Sequence, residues 1–170
     1  MKIAELSSQE VSSQIRRAPG NLYLLLDGAR FENIHQFLYS LLESPDYFPV
    51  YHKTYYQTAM GVSPCLLRVD ERHHAALQWY FDEGATKNMA LVMTSPEPLE
   101  ALGKHCQNFL EVKLPSMEIV LFRYYDPTVF DTLVRAEHHG IKNLLAPLSS
   151  VYWQHSQRFF CLNAIAQSEM

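Results

Sequence analysis

The chain has 170 residues, 48% of them hydrophobic and 19% charged, a composition typical of one globular domain with a hydrophobic core. Its formal net charge is −4 and its lysines and arginines are scattered, so the basic patch of a nucleic-acid-binding protein is absent and binding to anionic membranes is disfavoured. The three cysteines are far apart, the N-terminus has no apolar segment, and no apolar run approaches the roughly 20 residues of a membrane span, which together predict a cytoplasmic protein without disulfides.

Helices and strands are predicted to alternate from the N-terminus. Residues 3–17 have the spacing of a weak amphipathic helix. The apolar run at 22–26, closed by Asp27-Gly28, is typical of a strand buried on both faces. A helix is expected over 30–43, and residues 47–60 are expected to form a loop with one short extended piece.

The middle of the chain continues the same alternation. A second strand is predicted at 65–69, and an aromatic-rich helix at 73–83 that ends at Gly84. A third strand is predicted at 89–93. The next helix is expected to reach residue 110, with Ser95 as its N-cap and proline at its first position.

The last third of the chain is predicted to hold a hairpin, two helices and a second hairpin. These are expected at 111–114 with 118–125, at 127–136, at 137–145, and at 151–153 with 158–162. The alternation predicts an α/β fold with a single mixed, partly parallel sheet flanked by helices and a short helical C-terminal portion. We expect an α/β adaptor domain over residues 1–136, with 137–170 as a short C-terminal helical extension of the same domain.

Asp27 is the first candidate for chemistry. The sequence has no glycine-rich phosphate loop and no nucleophile elbow. Asp27 follows a strand at a position where open α/β sheets commonly bind ligands, and Asp70 or Asp126 could supply a second carboxylate for a metal. In the other interpretation the Asp-Gly pair only makes a turn, and the carboxylate accepts backbone N–H bonds.

The histidines and cysteines predict no metal site. Neighbouring residues on a helix point about 100° apart, so the pairs His73-His74 and His138-His139 are expected to be solvated helix ends. Cys65 begins an apolar run, which indicates a small buried hydrophobic side chain. We therefore expect no cofactor.

The most distinctive stretch is Leu-Phe-Arg-Tyr-Tyr-Asp-Pro at 121–127. As a strand it would place Leu121, Arg123 and Tyr125 on one face. Arg123 in such a strand must reach solvent or pair with a carboxylate, with Asp126 capping the next helix. Alternatively, Arg123 and the tyrosines form a patch that grips a protein partner, since both residue types are enriched in binding hot spots. The sequence leaves both interpretations open.

Five segments follow one another in an order similar to that of one known family. They are Leu-Tyr-Leu-Leu-Leu-Asp-Gly-Ala at 22–29, Pro-Cys-Leu-Leu-Arg-Val at 64–69, a helix with Trp79, an apolar strand with Ser-Pro and a helix at 89–110, and Phe-Arg-Tyr-Tyr-Asp-Pro at 122–127. On these segments the chain resembles the effector chaperones of type VI secretion, a domain of unknown function found between spike-protein and effector genes. It departs from that family in having cysteine at 65, where an aromatic residue is frequent, and in a shorter C-terminal region.

The resemblance implies a cytoplasmic adaptor that binds a cognate secreted effector and loads it onto the spike protein at the tip of the secretion tube, without catalysis. No nucleic acid and no stable membrane association are expected. The residues expected to contact a partner are Tyr55, Tyr56, Trp79, Arg123, Tyr124, Tyr125 and Asp126. The alternatives are a small α/β metal-dependent hydrolase or phosphotransfer enzyme that uses Asp27, and an immunity or accessory protein.

Overall fold

A computed structural model describes residues 1–164 of the chain. The strands are β1 Ile3–Leu6, β2 Asn21–Leu26, β3 Asp46–Pro49, β4 Cys65–Val69, β5 Ala90–Ser95, β6 Glu111–Lys113, β7 Ile119–Leu121, β8 Ser150–His155 and β9 Arg158–Asn163. The α-helices are α1 Ser8–Arg17, α2 Ile34–Leu41, α3 His74–Trp79, α4 Leu99–Gln107, α5 Pro127–Arg135 and α6 His139–Leu145. Short 3-10 helices lie at Gly28–Arg30 and Gln57–Val62, and a π-helical turn at Tyr80–Gly84 extends α3.

Seven of these strands form one sheet, in the order β1-β9-β8-β5-β2-β4-β3, and every neighbouring pair is antiparallel. The prediction of a partly parallel sheet is therefore wrong. β4 and β5 do run in the same direction and are joined through α3, as in a parallel unit. However, β2 lies between them and is antiparallel to both, so that Leu24 pairs with Leu67 on one side and Val92 on the other.

The sheet is buried on both faces, which explains why its central strands are continuous apolar runs. Tyr23 and Leu25 of β2 enter one core with residues of α4, α5 and α6. Leu24 and Leu26 enter the other core with residues of α1, α2 and α3. Such double coverage is usual for parallel sheets, and here helices cover both faces of an antiparallel one.

The N-terminal segment differs from its prediction. Residues 3–6 are not helical but form the edge strand β1, which pairs with β9. The helix starts only after Ser7, whose hydroxyl accepts the backbone N–H of Glu10, while the Glu10 carboxylate accepts the N–H of Ser7. This capping box satisfies N–H groups at the first turn, so the helix begins there and not at residue 3.

The start of α4 and the end of β7 also differ from their predicted positions. Ser95 is the last residue of β5 and not a helix N-cap, since α4 begins at Leu99 after Pro98. The Ser95 hydroxyl instead accepts the backbone N–H of Glu97 and donates to the carbonyl of Pro147. The strand predicted to reach residue 125 ends at Leu121, and the chain turns before α5.

The C-terminal portion is only partly helical. α6 is confirmed, but β8 and β9 join the main sheet, with β8 directly beside β5. The second predicted hairpin is therefore confirmed and occupies a central place in the fold. The hydroxyls of Thr94 and Ser150 lie 2.5 Å apart across the β5–β8 pair, in a buried position. Within residues 1–164, no helix combines the length and apolar character that crossing a membrane requires.

The three cysteines are free and buried, which confirms the prediction for Cys65. Burial raises the pKa of the Cys65 thiol, that of Cys106 to about 12 and that of Cys161 to about 11. Because the thiolate is the reactive form, we expect a thiol reagent at pH 8 to label the native protein roughly 100-fold more slowly than the denatured protein. Absorbance-monitored labelling with and without guanidinium measures this, and rapid labelling of one thiol in the native state would contradict it.

Candidate functional site

The end of β2 places Asp27 inside the molecule. The Asp27 backbone N–H donates to the carbonyl of Met89 at 2.8 Å, which continues the pairing with the neighbouring strand. Its side chain is fully buried and accepts the backbone N–H of Ala29 at 3.3 Å, which starts the 3-10 helix Gly28–Arg30. The turn at Asp27-Gly28 is confirmed, but the Asp27 carboxylate does more than accept a backbone N–H, because it also pairs with arginine.

Asp27 belongs to a set of four ionised side chains that we call the charge cluster: Asp27, Arg30, Arg123 and Asp126. Arg123 Nη2 donates to Asp27 Oδ2. Arg30 Nη2 donates to Asp126 Oδ2 at 2.9 Å, and Arg30 Nε lies 3.5 Å from Asp27 Oδ2. Arg123 Nη2 also lies 3.6 Å from Asp126 Oδ2. Two cations and two anions thus compensate one another at the end of β2.

The charge cluster joins segments that are distant in the sequence. Asp126 caps α5 by accepting the backbone N–H of Thr128 at 2.9 Å, as predicted. Arg123 reaches Asp27 across 96 residues, so its structural interpretation, pairing with a carboxylate, is also confirmed. Ion pairs of this kind hold a geometry in place because breaking one leaves a buried charge without its partner.

Burial and neighbouring charges shift the pKa values of Asp27 and Arg123 in opposite directions. Burial raises the pKa of the Asp27 carboxyl, and the Arg123 guanidinium opposes that effect only in part. Burial lowers the pKa of Arg123, but Asp27 together with Asp126 and Tyr125 more than offsets this, so that the pKa stays above its ordinary value. The Arg123 side chain is 38% exposed, and its buried Nε has no hydrogen-bond partner among residues 1–164.

Four of the residues predicted to contact a partner are buried, so the prediction of an exposed patch is wrong for Trp79, Tyr124, Tyr125 and Asp126. Tyr124 donates its hydroxyl to the carbonyl of Cys106 at 2.8 Å, and the hydroxyls of Tyr125 and Tyr51 lie 3.2 Å apart. The chain turns here instead of continuing as a strand, so both tyrosine rings point into the core beside α4. Burial raises the pKa of both tyrosines.

The other carboxylates and the histidines that were candidates for chemistry do not all lie at one site. Asp126 lies beside the same arginines as Asp27, whereas Asp70 is elsewhere and pairs with Arg72 at 2.8 Å. His73 is buried and not solvated, because its ring nitrogens lie 3.1 Å from the carbonyl oxygens of Arg68 and Ser44. Within the part of the chain that the structure describes, no group of three or more His, Cys, Asp or Glu side chains is placed to hold a metal ion.

An exposed apolar hairpin follows α4, and we call residues 111–121 the hairpin arm. Among residues 1–164, its strands β6 and β7 pair only with each other and do not join the main sheet. Met117 is 68% exposed and Ile119 is 64% exposed. The large apolar side chains exposed on the hairpin arm are Leu114, Met117, Ile119, Val120 and Leu121. Sequence reasoning predicted the hairpin but missed this surface, although the unbroken run Ile-Val-Leu indicated that neither face of β7 is polar.

Tyr55 and Tyr56 lie beside the hairpin arm. The Tyr56 hydroxyl donates to Glu111 Oε1 at 2.9 Å, and burial together with Glu111 raises the pKa of Tyr56 to about 12. Tyr55 is 89% exposed and packs edge-on against Tyr56, with 5.6 Å between the ring centroids. A shallow depression of about 230 Å³ is lined by these tyrosines, by Glu111 and by residues at the end of α4. These two predicted contact residues therefore lie beside the start of the hairpin arm at Glu111, with Tyr55 at the surface.

A larger groove of about 770 Å³ lies on the opposite side of the sheet, between α1 and α3. Successive turns of α3 contribute His74, Leu77, Gln78 and Phe81 to one of its walls. None of the residues predicted to contact a partner lines this groove.

The comparisons with known proteins concern the central part of the chain. A family model described as "Domain of unknown function (DUF4123)" matches residues 22–139, which is more than half of the chain. The matched range contains the charge cluster and the hairpin arm, and it leaves out β1, α1, β8 and β9. No curated protein and no solved structure matches the chain.

Proposed function

Since this chain belongs to the DUF4123 family, and since its segments resemble those of type VI secretion effector chaperones, we propose that it is a cytoplasmic adaptor that binds a cognate effector and helps to load it onto the spike protein. In this proposal the chain binds its partners without catalysis. The observation that carries the proposal is the hairpin arm, whose apolar side chains are left uncovered by residues 1–164. The resemblance supplies the class of partner.

The energetics of the hairpin arm support a role in protein binding. A contiguous exposed apolar surface gains free energy when a partner removes it from water, at about 25 cal/mol for each Å². A two-stranded ribbon with three paired residues in each strand is also marginally stable by itself. A bound partner would therefore both cover the apolar side chains and stabilise the ribbon.

The charge cluster supports the same role from the base of the hairpin arm. Phe122 N donates to the carbonyl of Leu110 at 2.7 Å, and Arg123 then anchors the chain to Asp27. A surface that is held in place before binding loses less conformational entropy when the partner arrives. We therefore assign Arg123 and Asp126 a positioning role, and we assign partner contact to Tyr55, Tyr56 and the exposed side chains of the hairpin arm.

The double substitution Ile119→Ser with Leu121→Ser tests the proposal. Each apolar side chain that is buried at the centre of an interface typically contributes about 1–2 kcal/mol, so we expect loss of two of them to weaken capture of the effector roughly 30- to 1,000-fold. The measurement is co-purification of the tagged chain with the proteins encoded by the neighbouring reading frames, followed by titration calorimetry on the complex obtained. Both side chains are exposed, so the thermal transition of the free protein should change little.

Tyr39→Ser is the matched control. Tyr39 is another large exposed side chain, 61% exposed, but it lies on α2 and packs edge-on against Tyr47. We expect this variant to capture the effector as the parent does. Equal capture by the well-folded double variant and the parent would contradict the proposal that the hairpin arm binds the effector.

A further inference from the structure

We propose that the outer edge of β7 binds an extended segment of the effector, which adds to the hairpin arm as a third, antiparallel strand. This inference rests on the proposed function and specifies how the partner is held. The segment has apolar side chains at alternate positions, an acidic residue before them and a basic residue after them.

The backbone of β7 presents the groups that strand addition needs. Leu114 N donates to the carbonyl of Glu118, and Phe122 N donates to the carbonyl of Leu110. Hydrogen-bonded and non-hydrogen-bonded pairs alternate in an antiparallel ribbon, so Val120 faces Val112 in a bonded pair. The N–H and C=O groups of Ile119 and Leu121 therefore point away from β6, and they have no protein partner within residues 1–164.

The side chains distinguish the two edges of the hairpin arm. The residues of β6 whose backbone points outward are Glu111 and Lys113, and charged side chains on an edge oppose pairing with another strand. The Glu111 carboxylate also accepts a hydrogen bond from the hydroxyl of Tyr56. The corresponding residues of β7 are Ile119 and Leu121, which are apolar and exposed. Strand addition is thus favoured at β7 and opposed at β6.

The charges at the ends of β7 define the occupant. Glu118 precedes the strand and is exposed, and Arg123 follows it with 38% of its side chain exposed. A segment that runs antiparallel to β7 passes Arg123 first and Glu118 last. Charge complementarity therefore requires an acidic residue at its start and a basic residue at its end.

The probe is the synthetic peptide Asp-Thr-Val-Thr-Ile-Lys, which places Asp opposite Arg123 and Lys opposite Glu118; it is added to the full-length chain and followed by NMR and amide hydrogen exchange. Valine is placed opposite Leu121 and isoleucine opposite Ile119. At saturating peptide we expect the amides of Ile119 and Leu121 to exchange at least about tenfold more slowly, because they become hydrogen-bonded. The amide of Val120 is already bonded inside the hairpin and should change less.

Two matched peptides separate backbone pairing from simple apolar contact. N-methylation of the valine removes an N–H that faces β7, and we expect binding to weaken about tenfold. N-methylation of the threonine between valine and isoleucine removes an N–H that faces away from β7, and it should leave the affinity within about twofold. Exchanging the terminal Asp and Lys should weaken binding about threefold, since exposed charge pairs contribute modestly.

Several results would overturn the inference. No binding of any peptide at millimolar concentration, equal loss from the two N-methylations, equal binding of the charge-exchanged peptide, or protection elsewhere without protection of Ile119 and Leu121 would each do so. Protection of Ile119 and Leu121 that depends on protein concentration alone would assign the edge to a second copy of the chain. If the effector is captured while the peptides fail, the effector contacts side chains only, and the proposed function stands without strand addition.

Discussion

The Arg123→Met variant is expected to lose about 2 kcal/mol of unfolding free energy, because Asp27 is fully buried and loses its principal cation. Breaking a fully buried ion pair costs about 3–5 kcal/mol. We expect less here, since the Arg123 side chain is 38% exposed and Arg30 Nε remains 3.5 Å from Asp27. Chemical denaturation measures the loss, and an unchanged midpoint would show that the ion pair contributes nothing to stability.

Two companion variants make this test specific. Adding Asp27→Asn to the Arg123→Met chain removes the buried charge, so at least half of the lost stability should return. Arg72→Met breaks an ion pair of the same type with Asp70, but Arg72 is solvent-exposed, and we expect little change. Failure of Asp27→Asn to restore any stability would mean that packing, not charge, explains the loss in Arg123→Met.

The pH dependence of the Arg123→Met variant follows from Asp27. Burial raises the pKa of this carboxyl above its unfolded value, and loss of the guanidinium raises it further. Between the two pKa values the native state holds a proton that the unfolded state has released, so stability falls as the pH rises through this window. We expect the variant to lose stability with rising pH more steeply than the parent does.

Gly28→Ala is expected to lower the melting temperature by about 10 °C, or to prevent folding, through overlap with the backbone. A Cβ atom at Gly28 would overlap the carbonyl oxygen of Ser63, and it would lie 2.5 Å from that of Val62. These are main-chain atoms, which cannot move aside as a flexible side chain can. Differential scanning calorimetry measures the change.

Gly61→Ala is the control for Gly28→Ala. The nearest atom to a Cβ at Gly61 is Nδ2 of Asn33 at 3.4 Å, which is close to ordinary contact. We expect its melting temperature to stay near that of the parent. A Gly28→Ala protein that melts as the Gly61→Ala protein does would show that the contact between residues 28 and 63 is looser than the structure has it.

The candidate site could be predicted from sequence only where it depends on neighbouring residues. The cap formed by Asp126 and the turn at Asp27 involve partners two residues away, and both predictions are confirmed. The pairing of Arg123 with Asp27 spans 96 residues, so the sequence could require a carboxylate for Arg123 without identifying it. Residue type favours a binding surface for Tyr124 and Tyr125, since tyrosine is enriched in hot spots, but the turn after β7 buries them.

The exposure of the hairpin arm is a second feature that could not be predicted from the sequence. An apolar run such as Ile-Val-Leu predicts a strand, and it is usually taken to predict burial as well. In β7 the strand forms, yet its three side chains stay exposed because β7 pairs with β6 and no other element of residues 1–164 covers it. Burial depends on what packs against a strand, and that information is not contained in the strand itself.

The sequence by itself determined the central elements of this protein and the coverage of its sheet, because apolar periodicity and caps act through residues a few positions apart. It could not determine the direction of the strands. An apolar strand that helices cover on both faces has the same pattern in a parallel and in an antiparallel sheet. Only the tertiary structure places β2 between β4 and β5, buries the tyrosines after β7 and leaves the hairpin arm uncovered, since each of these depends on contacts between distant segments.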